Sequence, residues 1–74
     1  MKTEKLKLLD TVAILKDCPE ERVVFGQVGT IVEELGNNVF EVEFADKNGV
    51  TISEFAVLAG DLMLLHYQLE YSAK

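Results

Sequence analysis

Hydrophobic and polar residues alternate most clearly in the middle of the chain, over residues 39–44. Phe40, Val42 and Phe44 fall on one side of this segment, and Glu41 and Glu43 fall on the other. Successive side chains of a strand point to opposite faces, so a period of two is typical of a half-buried antiparallel strand. The pattern therefore predicts a strand whose phenylalanines enter the core.

Turn-forming residues on both sides of this strand predict that its neighbours in sequence pair with it. Residues 29–35 are rich in β-branched side chains and end at the Gly-Asn-Asn triplet at 36–38. Residues 50–57 follow the Asp-Lys-Asn-Gly stretch at 46–49. Glycine and asparagine tolerate positive φ, and Asn-Gly is a strong hairpin signal. We therefore expect a three-stranded antiparallel meander.

The flanking segments complete an all-β domain. Residues 11–15 predict a first strand, followed by a long loop at 16–27, and residues 59–61 predict one helical turn before a last strand at 62–67. This is the element order of a small SH3-like five-stranded barrel, whose closure removes most exposed sheet edge. We expect one domain over residues 1–74, with its core over 8–67 and a tail at 68–74. The predicted core side chains are Val12, Ile14, Ile31, Phe40, Val42, Phe44, Ile52, Leu58, Leu62 and Leu65.

Composition fits a single small globular domain and sets limits on its location. The 74 residues are 49% hydrophobic and 27% charged, which is a globular rather than a disordered composition. The longest apolar runs are four to five residues, against the roughly 20 that a membrane helix needs. The first five residues lead into no signal-peptide apolar core. We therefore predict a cytoplasmic protein with no membrane contact.

Charge bears on the choice of partner. The formal net charge is −6; residues 1–16 hold four lysines against two acids, and residues 17–74 hold eleven acids against three basic residues. Nucleic-acid affinity depends on clustered Lys and Arg, so this balance argues against a nucleic-acid partner. Two explanations of the acids remain open: they keep a small domain soluble, or an acidic face docks a basic partner.

No residue pattern in the chain indicates catalysis or metal binding. Cys18 and His66 are single and lie far apart in sequence, which leaves no nucleophile–base pair and no zinc set. The stretch at 46–49 looks like the start of a calcium loop, but Val57 stands where the closing glutamate is required. We therefore predict that the protein is not an enzyme and has no cofactor and no metal site.

Two clusters of apolar residues are not expected to fit inside a small barrel. They are the candidate interface residues, namely Val23, Val24 and Phe25 in the long loop and Tyr67, Leu69 and Tyr71 at the end of the chain. Exposed apolar clusters often mark interfaces, although both segments folding back as caps on the barrel remains an alternative. An unidentified protein partner is one expectation. A homodimer with Tyr67 and Leu69 in the contact is another, since oligomerisation stabilises domains that lack disulfides and metals.

Linked motifs along most of the chain resemble one known family. They are Leu8-Leu9-Asp10-Thr11-Val12-Ala13-Ile14-Leu15, Gly26-x-Val28-Gly29-Thr30-Ile31-Val32-Glu33, Phe40-Glu41-Val42-Glu43-Phe44-x-Asp46 with Gly49, and Leu58-x-x-Asp61-Leu62. Over residues 8–65 the chain resembles the small bacterial proteins catalogued as domain of unknown function 4926. That resemblance implies an SH3-like fold and no assigned activity.

The glycine-containing segment at 26–32 is also similar to the strand of KOW-type and nitrile-hydratase β-subunit SH3-like barrels. The function expected from these observations is a non-enzymatic protein-interaction module, an accessory, regulatory or antidote-type protein of bacteria. The alternative is a KOW-like RNA-binding domain.

Overall fold

The computed structural model describes residues 5–66 and contains five strands and two short 3₁₀ turns. The strands are β1 (Thr11–Ile14), β2 (Val28–Gly36), β3 (Val39–Ala45), β4 (Thr51–Leu58) and β5 (Leu62–Leu64). One 3₁₀ turn, Pro19–Glu21, lies inside the long loop, and the other, Ala59–Asp61, connects β4 to β5. The predicted element order is confirmed, including the helical turn before the last strand, whereas the last strand, predicted over 62–67, ends at Leu64.

All five strands form one antiparallel sheet in the order β4-β3-β2-β1-β5. Over residues 5–66, β4 and β5 are the two edges and do not pair with each other. The three residues of β5 are all used in pairing with β1. The all-β prediction is confirmed. The sheet is not closed by hydrogen bonds, so the prediction of a closed barrel is not confirmed.

The two meander turns have the conformation that their sequences predict. Asn37 and Asn38 alone separate β2 from β3, and both have positive φ, at 56° and 63°. Positive φ at both central residues is the requirement of a type I′ hairpin turn. In the second turn, the Asp46 carboxylate accepts hydrogen bonds from the N–H groups of Asn48 and Val50 at 2.8 and 3.0 Å. Both turns therefore fix strand pairing locally.

Strand register decides which side chains of β4 enter the core. Opposite residues of an antiparallel pair share a face, and Phe40 faces Val57 across β3 and β4. Val57 is therefore buried, and Leu58 is 56% exposed. The prediction that Leu58 fills the core is wrong for this reason. Ile52 and Leu65, also predicted as core, are half-buried.

The core lies on one side of the sheet, which we call the inner face; the opposite side is the outer face. The remaining predicted core residues are buried as expected, together with residues that were not predicted. The buried residues of this core are Val12, Ile14, Val23, Ile31, Phe40, Val42, Phe44, Val57 and Leu62. Ala13 is also buried, but it lies on the outer face.

At Gly29 the backbone of β2 lies very close to side chains of β3. A Cβ atom at this position would lie 2.7 Å from Val42 Cγ1 and 2.8 Å from Phe44 Cδ1. Both distances are shorter than van der Waals contact, so only glycine allows β2 to pass over these two core side chains at this distance. The second glycine of the Gly-x-Val-Gly motif is therefore a packing requirement of the inner face.

Candidate interaction surface

The long loop contains a small hairpin that buries one of the predicted interface residues. Cys18 and Val23 form an isolated antiparallel bridge, in which the Cys18 N–H donates to the Val23 carbonyl at 2.8 Å. The 3₁₀ turn between them is followed by its C-capping residue, Arg22, whose φ is 60°. This bridge directs Val23 into the core, where it is fully buried. The prediction that Val23 belongs to an exposed cluster is therefore wrong.

Phe25 lies exposed at the tip of the next turn, over residues 24–27, which we call the Phe25 turn. The N–H of the last residue of this turn donates to the carbonyl of the first at 2.9 Å, and Gly26 has φ of 91°. The Phe25 N–H donates to Asp17 Oδ1 at 2.8 Å, and the Gly26 N–H donates to the Ile14 carbonyl at 2.7 Å. The Phe25 side chain is 62% exposed. A large aromatic side chain is thus presented by a backbone that is hydrogen-bonded at both central residues of the turn.

A shallow groove runs beside the Phe25 turn on the outer face. Its lining includes Val28, Thr30, Glu43 and Ala45 from β2 and β3, and the β3–β4 turn borders it opposite Phe25. Val24 also lines the groove and is exposed. The predicted loop residues Val24 and Phe25 are therefore brought together with one another and with an acidic side chain, Glu43, that is distant in sequence.

An apolar stripe adjoins this groove on the outer face. Ala13 of β1 pairs with Val28 of β2 on one side and with Met63 of β5 on the other. Val28 and Met63 are both about half exposed, and Ala13 between them is buried. Val28 and Met63 were not predicted to be surface residues of one patch. The only sequence signal was their place on strands next to residues assigned to the core.

The other half of the outer face is acidic. Glu33 of β2 lies directly opposite Glu41 of β3, and Glu43 of β3 lies directly opposite Glu54 of β4. We call these four residues the acidic face. Like charges opposite one another destabilise a sheet, so this arrangement opposes folding and is not explained by packing.

The pKa of Glu41 is shifted by its surroundings on the acidic face. Burial raises the pKa of Glu41 above its usual value near 4.5, and hydrogen bonding with Glu54 and the charges of Glu54 and Glu33 raise it further. All of these effects disfavour the ionised carboxylate. A cation placed beside Glu41 would reverse this electrostatic penalty.

The remaining candidate residues add little to this surface. Tyr67, Leu69 and Tyr71 lie outside the described residues. Cys18 packs against the core, and His66 is exposed after β5. Within residues 5–66, no three His, Cys, Asp or Glu side chains are grouped so as to hold a metal ion.

A second groove lies at the opposite end of the sheet, between the N-terminal segment, the start of β3 and β5. Its lining includes Leu6, Phe40, Leu62 and His66. This groove could not be predicted from the sequence, because its walls come from segments that are distant along the chain.

In the part of the chain that the structure describes, no helix is long and apolar enough to cross a membrane.

Comparison with known proteins places the chain in a family. No curated protein and no solved structure matches the chain. The family model described as "Domain of unknown function (DUF4926)" matches residues 8–64, which is well over half of the chain and confirms the resemblance seen in its motifs. The chain therefore belongs to the DUF4926 family.

Proposed function

We propose that this protein is a non-enzymatic protein-interaction module and that the Phe25 turn is its principal contact. The observation that carries the proposal is a phenylalanine that is 62% exposed on a turn held by hydrogen bonds to Asp17 and Ile14. Aromatic anchors contribute a large share of the binding energy at protein interfaces. An anchor that is ordered before binding loses little conformational entropy on association.

The energy available from this anchor is appreciable. Fully burying an exposed phenylalanine contributes about 1.5–3 kcal/mol, and the neighbouring apolar side chains Val24 and Val28 are also exposed. A partner that covers the Phe25 turn and the groove beside it therefore gains apolar burial from three residues. This supports recognition of a protein surface with a shallow apolar socket.

Charge supports a basic partner. Two acidic residues, Glu43 and Asp46, line the groove next to the Phe25 turn, together with one basic residue, Lys47. Glu43 also belongs to the acidic face, and the chain has a net charge of −6. Opposite charge speeds association and disfavours incorrect partners. An accessory, regulatory or antidote-type role in a bacterial cytoplasm, in which this acidic domain covers a basic surface of another protein, is our proposal for the biological setting.

We propose that this module has an SH3-like barrel fold that is left open between its two edge strands, β4 and β5. The strand order β4-β3-β2-β1-β5 and the 3₁₀ turn between β4 and β5 support it. In that arrangement the long β1–β2 loop, which carries Phe25, lies at the surface. Loops on a rigid sheet are common positions for binding residues.

Affinity capture with matched variants tests the principal contact. Phe25→Ala removes the anchor, and Leu35→Ala removes an exposed apolar side chain at the distant end of β2. We expect a protein captured from native lysate by the wild type to be retained by Leu35→Ala and lost with Phe25→Ala. With the purified partner, calorimetry should give at least about a tenfold weaker Kd for Phe25→Ala. Equal binding by both variants would refute the assignment of the Phe25 turn.

A KOW-like RNA-binding domain is the second candidate. It is supported by the likeness of residues 26–32, which span the end of the Phe25 turn and the start of β2. RNA recognition by such a module requires basic residues beside exposed aromatic side chains. Phe25 meets the aromatic requirement, and Lys47 lines the groove beside it, but two acidic residues, Glu43 and Asp46, line the same groove.

A further inference from the structure

We propose that the free edge of β4 is a second binding site, which accepts an extended segment of a partner protein in which Lys or Arg alternates with apolar residues. The inference rests on the proposed interaction function in general, since it supplies the chemistry of the partner, but it does not depend on the Phe25 turn. The segment would add to the sheet as a sixth strand beside β4.

The backbone of β4 is available for pairing on one side. Within residues 5–66 the backbone of this strand pairs with β3 alone and ends the sheet. The hydroxyl of Ser53 also donates a hydrogen bond to the Glu21 carboxylate of the long loop, which leaves the outward backbone groups of β4 unused. An antiparallel strand directs alternate N–H and C=O groups to each side, so the outward groups of an edge strand form a template for another strand. Backbone pairing of this kind gives affinity without requiring a deep pocket.

The edge has few of the features that protect natural edges from pairing. Such edges are usually short, or carry lysine, proline or bulges. The eight residues of β4 include no lysine and no proline, and Glu54 is their one charged residue. Register shifts by one residue near the start of β4, between the pairs Phe44–Ser53 and Ala45–Thr51. Residues 53–58 beyond this bulge are regularly paired with β3, so they offer an extended segment of roughly 20 Å.

The side chains on the two faces of β4 define the residues that a sixth strand would need. On the outer face, Glu54 lies opposite Glu43, and it is the acidic residue nearest to the free edge. On the inner face, Phe55 and Val57 pack with the core. Directly opposite residues of paired strands have Cβ atoms about 5 Å apart. A basic residue on the outer side and an apolar residue on the inner side of the added strand therefore match β4.

A second copy of this chain fits the edge less well. Pairing β4 with β4 would bring two acidic faces into one continuous sheet, and each chain has a net charge of −6. Like charges on adjacent strands are destabilising. A cationic segment instead reduces the electrostatic penalty that Glu54 and Glu33 impose on Glu41. Charge complementarity thus selects a basic partner over self-association at this edge.

Titration of the ¹⁵N-labelled full-length protein with a synthetic peptide tests this site by NMR. The probe is an eight-residue, capped peptide of alternating lysine and valine. We expect amide shifts concentrated in residues 51–58 and slower hydrogen exchange there at saturation. The same peptide with alternate backbone nitrogens methylated should bind at least about tenfold more weakly, because it cannot donate the pairing hydrogen bonds. A glutamate–valine peptide should not bind.

Two variants at one position separate edge binding from non-specific attraction. Ala56 is exposed and lies opposite Glu41 on the outer face. Ala56→Lys adds a cation that repels the peptide and should weaken binding several-fold, whereas Ala56→Glu should retain or strengthen it. Ala56→Lys also places a cation opposite Glu41, so we expect it to fold.

Three results would overturn the site at β4. They are equal binding of the methylated peptide, shifts confined to the Phe25 turn, and β4 shifts that depend on protein concentration without peptide. Phe25→Ala should leave the titration unchanged, so loss of β4 binding and loss of the Phe25 contact are separate results.

Discussion

The side chain of Phe44 stacks on that of Phe55 across β3 and β4, with ring centroids 5.2 Å apart and ring planes inclined by 28°. Phe44 is fully buried and Phe55 partly buried. Aromatic pairs at this spacing contribute energy beyond their buried area. The pair joins β3 to the edge strand β4, and it therefore supports both the core and the strand that we propose as a binding site.

We expect Phe44→Ala to lower the free energy of unfolding by about 3–5 kcal/mol, because it leaves a cavity in the core and removes the stacked pair. The matched control is Glu43→Ala, the adjacent residue on the outer face, which should cost well under 1 kcal/mol. Urea unfolding followed by circular dichroism measures both. Equal losses would show that the alternation in β3 does not divide core from surface.

Gly29→Ala should destabilise the protein by about 1–3 kcal/mol, because the added methyl group overlaps Val42 and Phe44. Gly60→Ala is the control, since a Cβ atom there meets nothing within 4 Å. Thermal unfolding of the two variants tests the close approach of β2 to β3. A Gly29→Ala protein as stable as Gly60→Ala would contradict it.

Because of Glu41, we expect the free energy of unfolding to fall as pH rises. Its pKa is raised in the folded state, so the folded protein binds this proton more tightly than the unfolded chain does. The resulting stabilisation is complete below the unfolded pKa and is lost as pH rises through the folded pKa. Glu41→Gln should remove this component, which the difference between the two stability profiles measures from about pH 4 upward.

A second variant tests what raises the pKa of Glu41. Glu54→Gln removes one neighbouring charge and should move the pKa of Glu41 back toward 4.5, measured by NMR titration of the carboxyl carbon. An unchanged Glu41 pKa would leave burial and the charge of Glu33 as its causes.

Nucleic-acid binding should be negligible. At about 150 mM salt we expect no complex with RNA or duplex DNA below roughly 100 μM, because the chain lacks clustered phosphate-neutralising charge. Fluorescence anisotropy with labelled oligonucleotides at two salt concentrations measures this. A micromolar complex that weakens steeply with salt would favour the KOW-like alternative.

The proposed homodimer depends on the end of the chain. We expect the full-length protein to sediment as a dimer at tens of micromolar, and deletion of residues 68–74 to yield a monomer with a lower Tm. A full-length chain that sediments at 8.3 kDa would exclude the dimer. The β4 edge would remain testable in that case, since our proposal for it does not involve self-association.

The sequence by itself determined where the strands and turns lie. The alternation over 39–44 and the turn residues on both sides depend only on near neighbours, and β2, β3 and β4 begin and end within one residue of the predicted bounds. The burial of Phe40, Val42 and Phe44 follows from the same local period. Resemblance of the linked motifs likewise identified the family.

Only the tertiary structure decided which residues meet across strands. The burial of Val57 instead of Leu58 follows from pairing with β3, and the burial of Val23 follows from its bridge to Cys18. The acidic face also exists only because β2, β3 and β4 place their glutamates side by side. Cross-strand register is set by contacts between residues distant in sequence. A period of two predicts two faces for each strand, but pairing between strands determines which residues form the core and which form a binding surface.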